Sequence, residues 1–198
     1  MLYDQDIREP LFEFLEEAYG KIRIIEEKQM GRSRADIVMV LPGLLTGIEI
    51  KSDADTYVRL DRQVRDYDRY YDRNMVVAGS THAVHVKEHV PEWWGIITVE
   101  QIGSRIDFYV LREAKENPRM NWKRKLSLLW RPELVHIQEL THMPRYQEKS
   151  KAFVIEKMLL KVPSEELAVL VSEELFERDY TRIETVIQEY KRGRRRRK

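Results

Sequence analysis

The 198-residue sequence predicts an α/β fold: a core in the order α-β-β-β-α-β with a mixed sheet, followed by a C-terminal helical extension. Three observations carry this. Apolar residues keep helical spacing up to Gly20, three short apolar runs with two-residue alternation follow, and helical spacing then returns from about Asp55 before the buried run MVVAGS.

The elements follow in order. Asp4 or Asp6 can cap a helix through Ile7, Leu11, Phe14, Leu15 and Ala18, with Pro10 tolerated near its start and Gly20 closing it. Lys21–Glu27 is a strand, GRSR a polar connection, and ADIVMVL a second strand rich in β-formers. Pro42-Gly43 turns the chain into GIEIKS, so these two strands form a hairpin. A loop centred on Pro42-Gly43 or on Gly43-Leu44 pairs Asp36 with Glu49 or with Lys51. A helix from Asp55 or Thr56 to about Asn74 carries Leu60, Val64, Tyr67 and Tyr71 on one side. HAVHVKEHV fits a short helix stopped by Pro91, and WWGIITVEQ and SRIDFYVLR are strands joined across Gly103-Ser104. Helices are expected over Lys125–Leu140 with a break near Pro132, Tyr146–Lys161, Ser164–Arg178, and on to about Lys191. The expected division is an α/β core over 1–112 and a helical extension over 113–198 with a basic, disordered tail over about 191–198.

Composition narrows the function. With no cysteine, disulfides, thiol catalysis and thiolate metal sites are excluded. No window holds the roughly 18 uninterrupted apolar residues of a membrane span, and MLYDQDIREP opens on acids rather than on a basic, then apolar, leader, so a cytoplasmic protein without a membrane partner is expected. The formal charge of +1 hides an asymmetry, because the last eight residues, KRGRRRRK, hold seven of the 35 basic groups. The remaining 28 bases face 34 acids, giving residues 1–190 a net charge of −6. Nucleic acid would therefore be met through local patches.

An acid, any residue and a lysine occurs at Glu26–Lys28, Glu49–Lys51, Glu113–Lys115 and Glu189–Lys191. Only Glu49–Lys51 lies in an apolar strand with an aspartate brought opposite by a short hairpin. Alternation puts Asp36, Glu49 and Lys51 on one face and Ile37, Met39, Ile48 and Ile50 on the other. Two carboxylates and the Ile50 carbonyl offer hard oxygen ligands to a divalent cation, with Lys51 held where water attacks. The plainer alternative is an ion-pair cluster that fixes the hairpin register, although three charges in an apolar hairpin are costly to keep for packing alone.

ADIVMV, LPG and GIEIKSDAD, followed by RLDRQVRDYDRYYD, resemble the PD-(D/E)XK nuclease superfamily, and within it most closely a small bacterial nuclease-like group, over about residues 4–97. The resemblance implies a restriction-endonuclease-like core and a Mg²⁺-dependent deoxyribonuclease, with Mn²⁺ able to substitute, that hydrolyses phosphodiesters of DNA through a metal-activated water. It assigns Asp36, Glu49, Lys51 and Gln63 to the catalytic set, Asp36, Glu49 and the Ile50 carbonyl to the metal, and Glu27, chosen among Glu9, Glu13, Glu26 and Glu27, as a further acid. Ala35-Asp36 stands where the superfamily's name has Pro-Asp. Arg34, Arg62, Tyr67 and the tail residues Arg194, Arg195, Arg196 and Arg197 would meet nucleic acid, and a homodimer is compatible with this. The alternatives are a catalytically silent nuclease-like binding module and a zinc peptidase using His85, Glu88 and His89, since HVKEH matches an inverted zinc-binding pattern. The Arg and Asp residues alternating along 59–73 fit a solvated helix face as well as a phosphate clamp, and Trp93-Trp94 fits a core pair better than a base-stacking platform.

Deleting 191–198 should weaken DNA binding at low salt and flatten its salt dependence by roughly 0.9 for every phosphate the tail neutralises, with turnover retained. Titrations at several salt concentrations check this, and an unchanged slope would assign the tail another purpose.

Overall fold

The computed structural model describes residues 2–30 and 33–178. Helix α1 (Asp4–Tyr19) is followed by β1 (Arg23–Met30), β2 (Ser33–Leu41) and β3 (Leu44–Lys51). A 3-10 turn over Tyr57–Arg59 leads into α2 (Leu60–Tyr70) and β4 (Arg73–Gly79). The short helices α3 (Ser80–Ala83) and α4 (Val86–His89) precede the hairpin β5 (Gly95–Ile102) and β6 (Arg105–Arg112), and α5 (Trp122–Ser127), α6 (Arg131–Leu140), α7 (Lys151–Lys161) and α8 (Ser164–Phe176) complete the described chain. The first six elements have the expected order α-β-β-β-α-β.

The six strands form one sheet in sequence order, antiparallel except for the parallel pairs β3–β4 and β4–β5. Parallel pairing needs a crossover, supplied by α2 in one case and by α3 and α4 in the other. The β2–β3 hairpin turns about Pro42-Gly43, with Leu41 opposite Leu44 and Ile37 opposite Ile48, and Gly43 takes the left-handed φ of 72° that suits a residue without Cβ. This is the first of the two registers the sequence allows.

Helices cover both faces. Ile7, Leu11 and Leu15 of α1 pack on Ile37, Met39, Ile48, Ile50, Met75 and Val77. The opposite face, with Val38, Val40, Leu45 and Val76, shares a continuous core with Leu60, Val64 and Tyr67 of α2 and with Leu126, Leu134, Ile137, Val154 and Leu167 of the later helices. The helical extension is thus built onto the sheet. Buried polar links tie the two: Lys125 Nζ donates to Asp72 at 2.7 Å, Asp72 accepts from the Leu45 N–H at 2.8 Å, and the Asn117 amide bridges the Asp68 and Tyr71 carbonyls.

Several boundaries differ from the sequence expectation for local reasons. Strand β1 runs on to Met30 because its far end pairs with Ser33–Ala35, so the connection is shorter than GRSR. Helix α2 ends at Tyr70 rather than near Asn74, since Tyr71 turns extended and feeds β4. The segment 82–90 is not one helix, and α3 and α4 each have only four residues. The break near Pro132 separates α5 from α6, whose first turn holds Pro132 where its missing N–H costs nothing. Helix α7 begins at Lys151, capped by the Ser150 hydroxyl, because Tyr146 sits at φ 45°. The helix expected to reach Lys191 lies outside the described residues, as does the tail. Among the described residues no helix is long and apolar enough to cross a membrane.

A Cβ on Gly47 would lie 2.6 Å from Tyr67 Cδ1 and closer still to the Tyr71 ring. Gly47→Ala should therefore drive α2 off β3 and cost about 1–3 kcal/mol or more, the scale of overpacking, as measured by urea unfolding. Unchanged stability would mean that these rings are not seated as described.

Candidate metal centre

The hairpin register decides which side chains meet. Ladder pairs Glu26–Ile37 and Lys28–Ala35 flank Asp36 on one side, and on the other the β2–β3 ladder ends at Ile37–Ile48. Beyond that point the Ile50 N–H donates to Asp36 Oδ2 at 2.9 Å instead of to a strand carbonyl. A carboxylate thus stands in for the ladder, which fixes its position at the head of a cleft of about 530 Å³. Asp36, Glu49, Ile50, Lys51 and Gln63 all line that cleft.

Glu49 is 1% exposed and its carboxylate is held on both oxygens. Lys51 Nζ donates to Oε1 at 2.6 Å, Gln63 Nε2 donates to the same oxygen, and the Tyr67 hydroxyl donates to Oε2 at 2.8 Å. Gln63 Oε1 in turn accepts from Lys51 Nζ at 3.1 Å, so α2 braces both charges of β3. Burial and the neighbouring Glu49 push the Asp36 carboxyl up to about 7, against the opposing pull of the Ile50 N–H and of Lys51. Two carboxylates in one cleft with their charge only partly compensated are a donor pair whose charge a cation could neutralise.

Asp36, Glu49, Lys51, Gln63 and Ile50 therefore come together as the sequence leads one to expect. Glu27 also lines the cleft, but its exposed side chain pairs with Arg34 at 3.0 Å, and its backbone sits at φ 52°. Glu26 reaches Arg8 at 3.1 Å, and Glu13 lies in a separate groove beside Phe108. Arg34 and Arg62 stand on the cleft rim. Tyr67 does not belong with them: it is 0% exposed, so it cannot touch nucleic acid, and the expectation that it would is corrected by its burial. Arg194, Arg195, Arg196 and Arg197 lie outside the described residues.

The zinc pattern is not assembled. His85 precedes the single turn of α4 and bonds Glu88 at 3.4 Å, while the His89 ring stacks on Tyr57 at 4.0 Å. Both tryptophans of Trp93-Trp94 donate their indole N–H to Asp68, at 3.2 and 2.8 Å, which makes them a structural pair. On α2, Asp66 accepts from the Ser33 hydroxyl and lies 4.0 Å from Arg69.

Sequence reasoning missed Asp4, Arg8 and Asp55, which also line the cleft, and offered Arg59, a further lining residue, only as one of the alternating arginines of 59–73. Arg8, braced by Asp4 at 2.7 Å, donates towards the Asp36 carbonyl at 3.5 Å. Asp4 and Arg8 arrive from α1, whose sequence shows only an ordinary amphipathic pattern. Among the described residues no three His, Asp or Glu side chains stand together as a complete metal cage. A cation at Asp36 and Glu49 would have to keep several waters, as Mg²⁺ habitually does.

Comparison with known proteins gives three findings. The family model of bacteriophage P4 protein cII matches residues 1–168. Protein cII of Enterobacteria phage P4 is 25% identical over 138 residues, which is 68% of this chain and 52% of the phage protein, so the chain spans about half the length of that curated relative. SfsA of Pyrococcus furiosus, solved in complex with Ca²⁺, has 14% identity and a TM-score of 0.34 over 56% of this chain and 62% of its own, a likeness too slight to carry an argument. The motifs lead to the expectation of a small bacterial nuclease-like group, whereas the family model that matches is that of a phage protein.

Asp36 sets a pH dependence of stability in chelator. With its carboxyl raised to about 7, the folded protein holds a proton that the unfolded chain has already released, so stability falls as pH rises from about 4 to about 7 and stays reduced above. Asp36→Asn removes that cost. Its melting temperature should exceed that of the parent at pH 8 and converge with it near pH 4, and an equal difference at both pH values would contradict the assigned burial.

Proposed function

The chain belongs to the family of bacteriophage P4 protein cII, and we propose that it acts as a divalent-metal-dependent deoxyribonuclease of the PD-(D/E)XK type. The observation that supports this most strongly is the pairing of Asp36 with Glu49 in one cleft beside Lys51, with the Asp36 carboxyl pushed up to about 7. A register-fixing cluster has no need of such a group. Its second carboxylate would be better replaced by an apolar residue, because burying an incompletely compensated charge costs stability.

The donor set fits Mg²⁺ or Mn²⁺. Asp36 and Glu49 would hold the ion with the Ile50 carbonyl, all hard oxygens on adjacent strands of a rigid sheet. Such an ion, when bound, supplies positive charge against a scissile phosphate and acidifies a water. The chain's own groups do the rest. Lys51, only 6% exposed and anchored to Glu49 and Gln63, presents an ammonium that stabilises charge building on the phosphoryl oxygens. Gln63 bonds Glu49 and Lys51 at once and so keeps the acid and the base of the motif in register. Arg34, Arg62 and Arg59 on the rim meet flanking phosphates of DNA.

Asp36→Asn and Glu49→Gln should each abolish Mg²⁺ binding and cleavage, since a neutral amide is a poor ligand for a hard cation. Lys51→Ala should bind metal as well or better, yet cut at least roughly 100-fold more slowly, the scale of losing one preorganised transition-state group. Calorimetric Mg²⁺ titration and cleavage of plasmid, linear, single-stranded and branched DNA with Mg²⁺, Mn²⁺ or EDTA check this. DNA binding through the cleft without any cleavage would identify a silent module instead, and a Lys51→Ala protein cutting at the parental rate would overturn the assignment.

A further inference from the structure

Tyr67 is the buried group that meets both acidic residues of the site, Asp36 through its backbone N–H and Glu49 through its carboxylate. Its hydroxyl accepts from the Asp36 N–H at 3.0 Å and donates to Glu49 Oε2 at 2.8 Å, with the Ile48 carbonyl at 3.1 Å as the competing acceptor. One oxygen thus ties the backbone of β2 to the side chain of β3. The ring itself has little freedom: it lies over Gly47 and is flanked by Trp94 and Tyr71 at 5.5 and 5.6 Å between ring centres.

The hydrogen-bond count at Glu49 shows what this arrangement controls. An ionised carboxylate has about four acceptor positions. Lys51 and Gln63 use those of Oε1, and Tyr67 uses one of the two on Oε2. Glu49 therefore has a single position left, on Oε2, which suits binding through one oxygen and opposes binding through both. Mg²⁺ and Mn²⁺ are satisfied by single-oxygen carboxylates in a six-fold shell, whereas Ca²⁺ takes more ligands at longer range and readily uses both oxygens of a carboxylate.

We infer that Tyr67 is a positioning residue that fixes Glu49 for one-oxygen binding and thereby biases the cation site towards small divalent ions over Ca²⁺, without itself touching substrate. This rests on the metal-site reading above. It also accounts for a polar hydroxyl aimed at two strands from an otherwise apolar helix stripe.

The test compares the full-length protein with Tyr67→Phe, using calorimetric titration with Mn²⁺, Mg²⁺ and Ca²⁺, cleavage kinetics and melting curves. Tyr67→Phe should bind Mn²⁺ and Mg²⁺ about 10-fold more weakly and shift the Mg²⁺ to Ca²⁺ affinity ratio at least about 5-fold towards Ca²⁺, the size expected from removing one hydrogen bond. Its kcat should fall while KM for DNA holds. Placing 4-aminophenylalanine at position 67 keeps ring and donor, and should restore the ratio to within about 3-fold of the parent; if the Phe variant does not fold, this arm alone decides. A lowered melting temperature with parental metal affinities and ratio would reduce Tyr67 to a packing residue while leaving the nuclease reading intact. An amino analogue as impaired as the Phe variant also overturns the proposal. A parent protein that binds no divalent ion and does not cut would overturn both.

Discussion

The constraint on which the site depends is the burial of Glu49. A carboxylate 1% exposed in the middle of a sheet is tolerable only if its charge and its acceptor positions are met. Three side chains meet them: Lys51 from the same strand, and Gln63 and Tyr67 from α2. That requirement fixes the approach of α2 to β3, and it explains why Gly47, the one residue of β3 without a side chain, lies beneath the tyrosines. It also spaces Gln63 and Tyr67 four residues apart, one turn of the same helix face. Packing and chemistry share these contacts, so neither can be altered alone.

Asp36 is the complement. Its charge is less well met, since its Oδ2 accepts the Ile50 N–H while Glu49 and Asp4 repel it. In the absence of a cation the hairpin therefore carries a destabilising group at the place where the β2–β3 ladder ends. Proteins place such costs where a ligand or a reaction relieves them. The left-handed backbone of Glu27, opposite Asp36, is a second local cost at the same spot.

Much of this was legible in the sequence because it follows from parity. Alternation in GIEIKS put Glu49 and Lys51 on one face, and Pro42-Gly43 brought Asp36 to them, as the Leu41–Leu44 closure bears out. The stripe Leu60, Val64, Tyr67 was also readable as a buried helix face. What parity could not convey was that the Tyr67 hydroxyl points to the strands rather than to solvent, so the same residue was also expected at a nucleic-acid surface. Asp4 and Arg8 were hidden for another reason: they reach the cleft only through the way α1 crosses the sheet, a long-range packing outcome with no local signature. The end of α2 at Tyr70 was likewise set by tertiary demands, since Asp72 has to accept both from Leu45 and from the buried Lys125. The polar ties of α5 to the sheet made the extension part of one core, although the change to helical spacing after Arg112 suggested a separate region.

On the proposed reading, Asp36 and Glu49 jointly hold a divalent cation. Anomalous diffraction from crystals of the protein soaked in Mn²⁺ would locate such an ion. A peak is expected within about 2.2 Å of an oxygen of each carboxylate, with Lys51 still beside it. A peak elsewhere, or an empty cleft with Glu49 still bonded to Lys51, Gln63 and Tyr67 at saturating Mn²⁺, would contradict that reading.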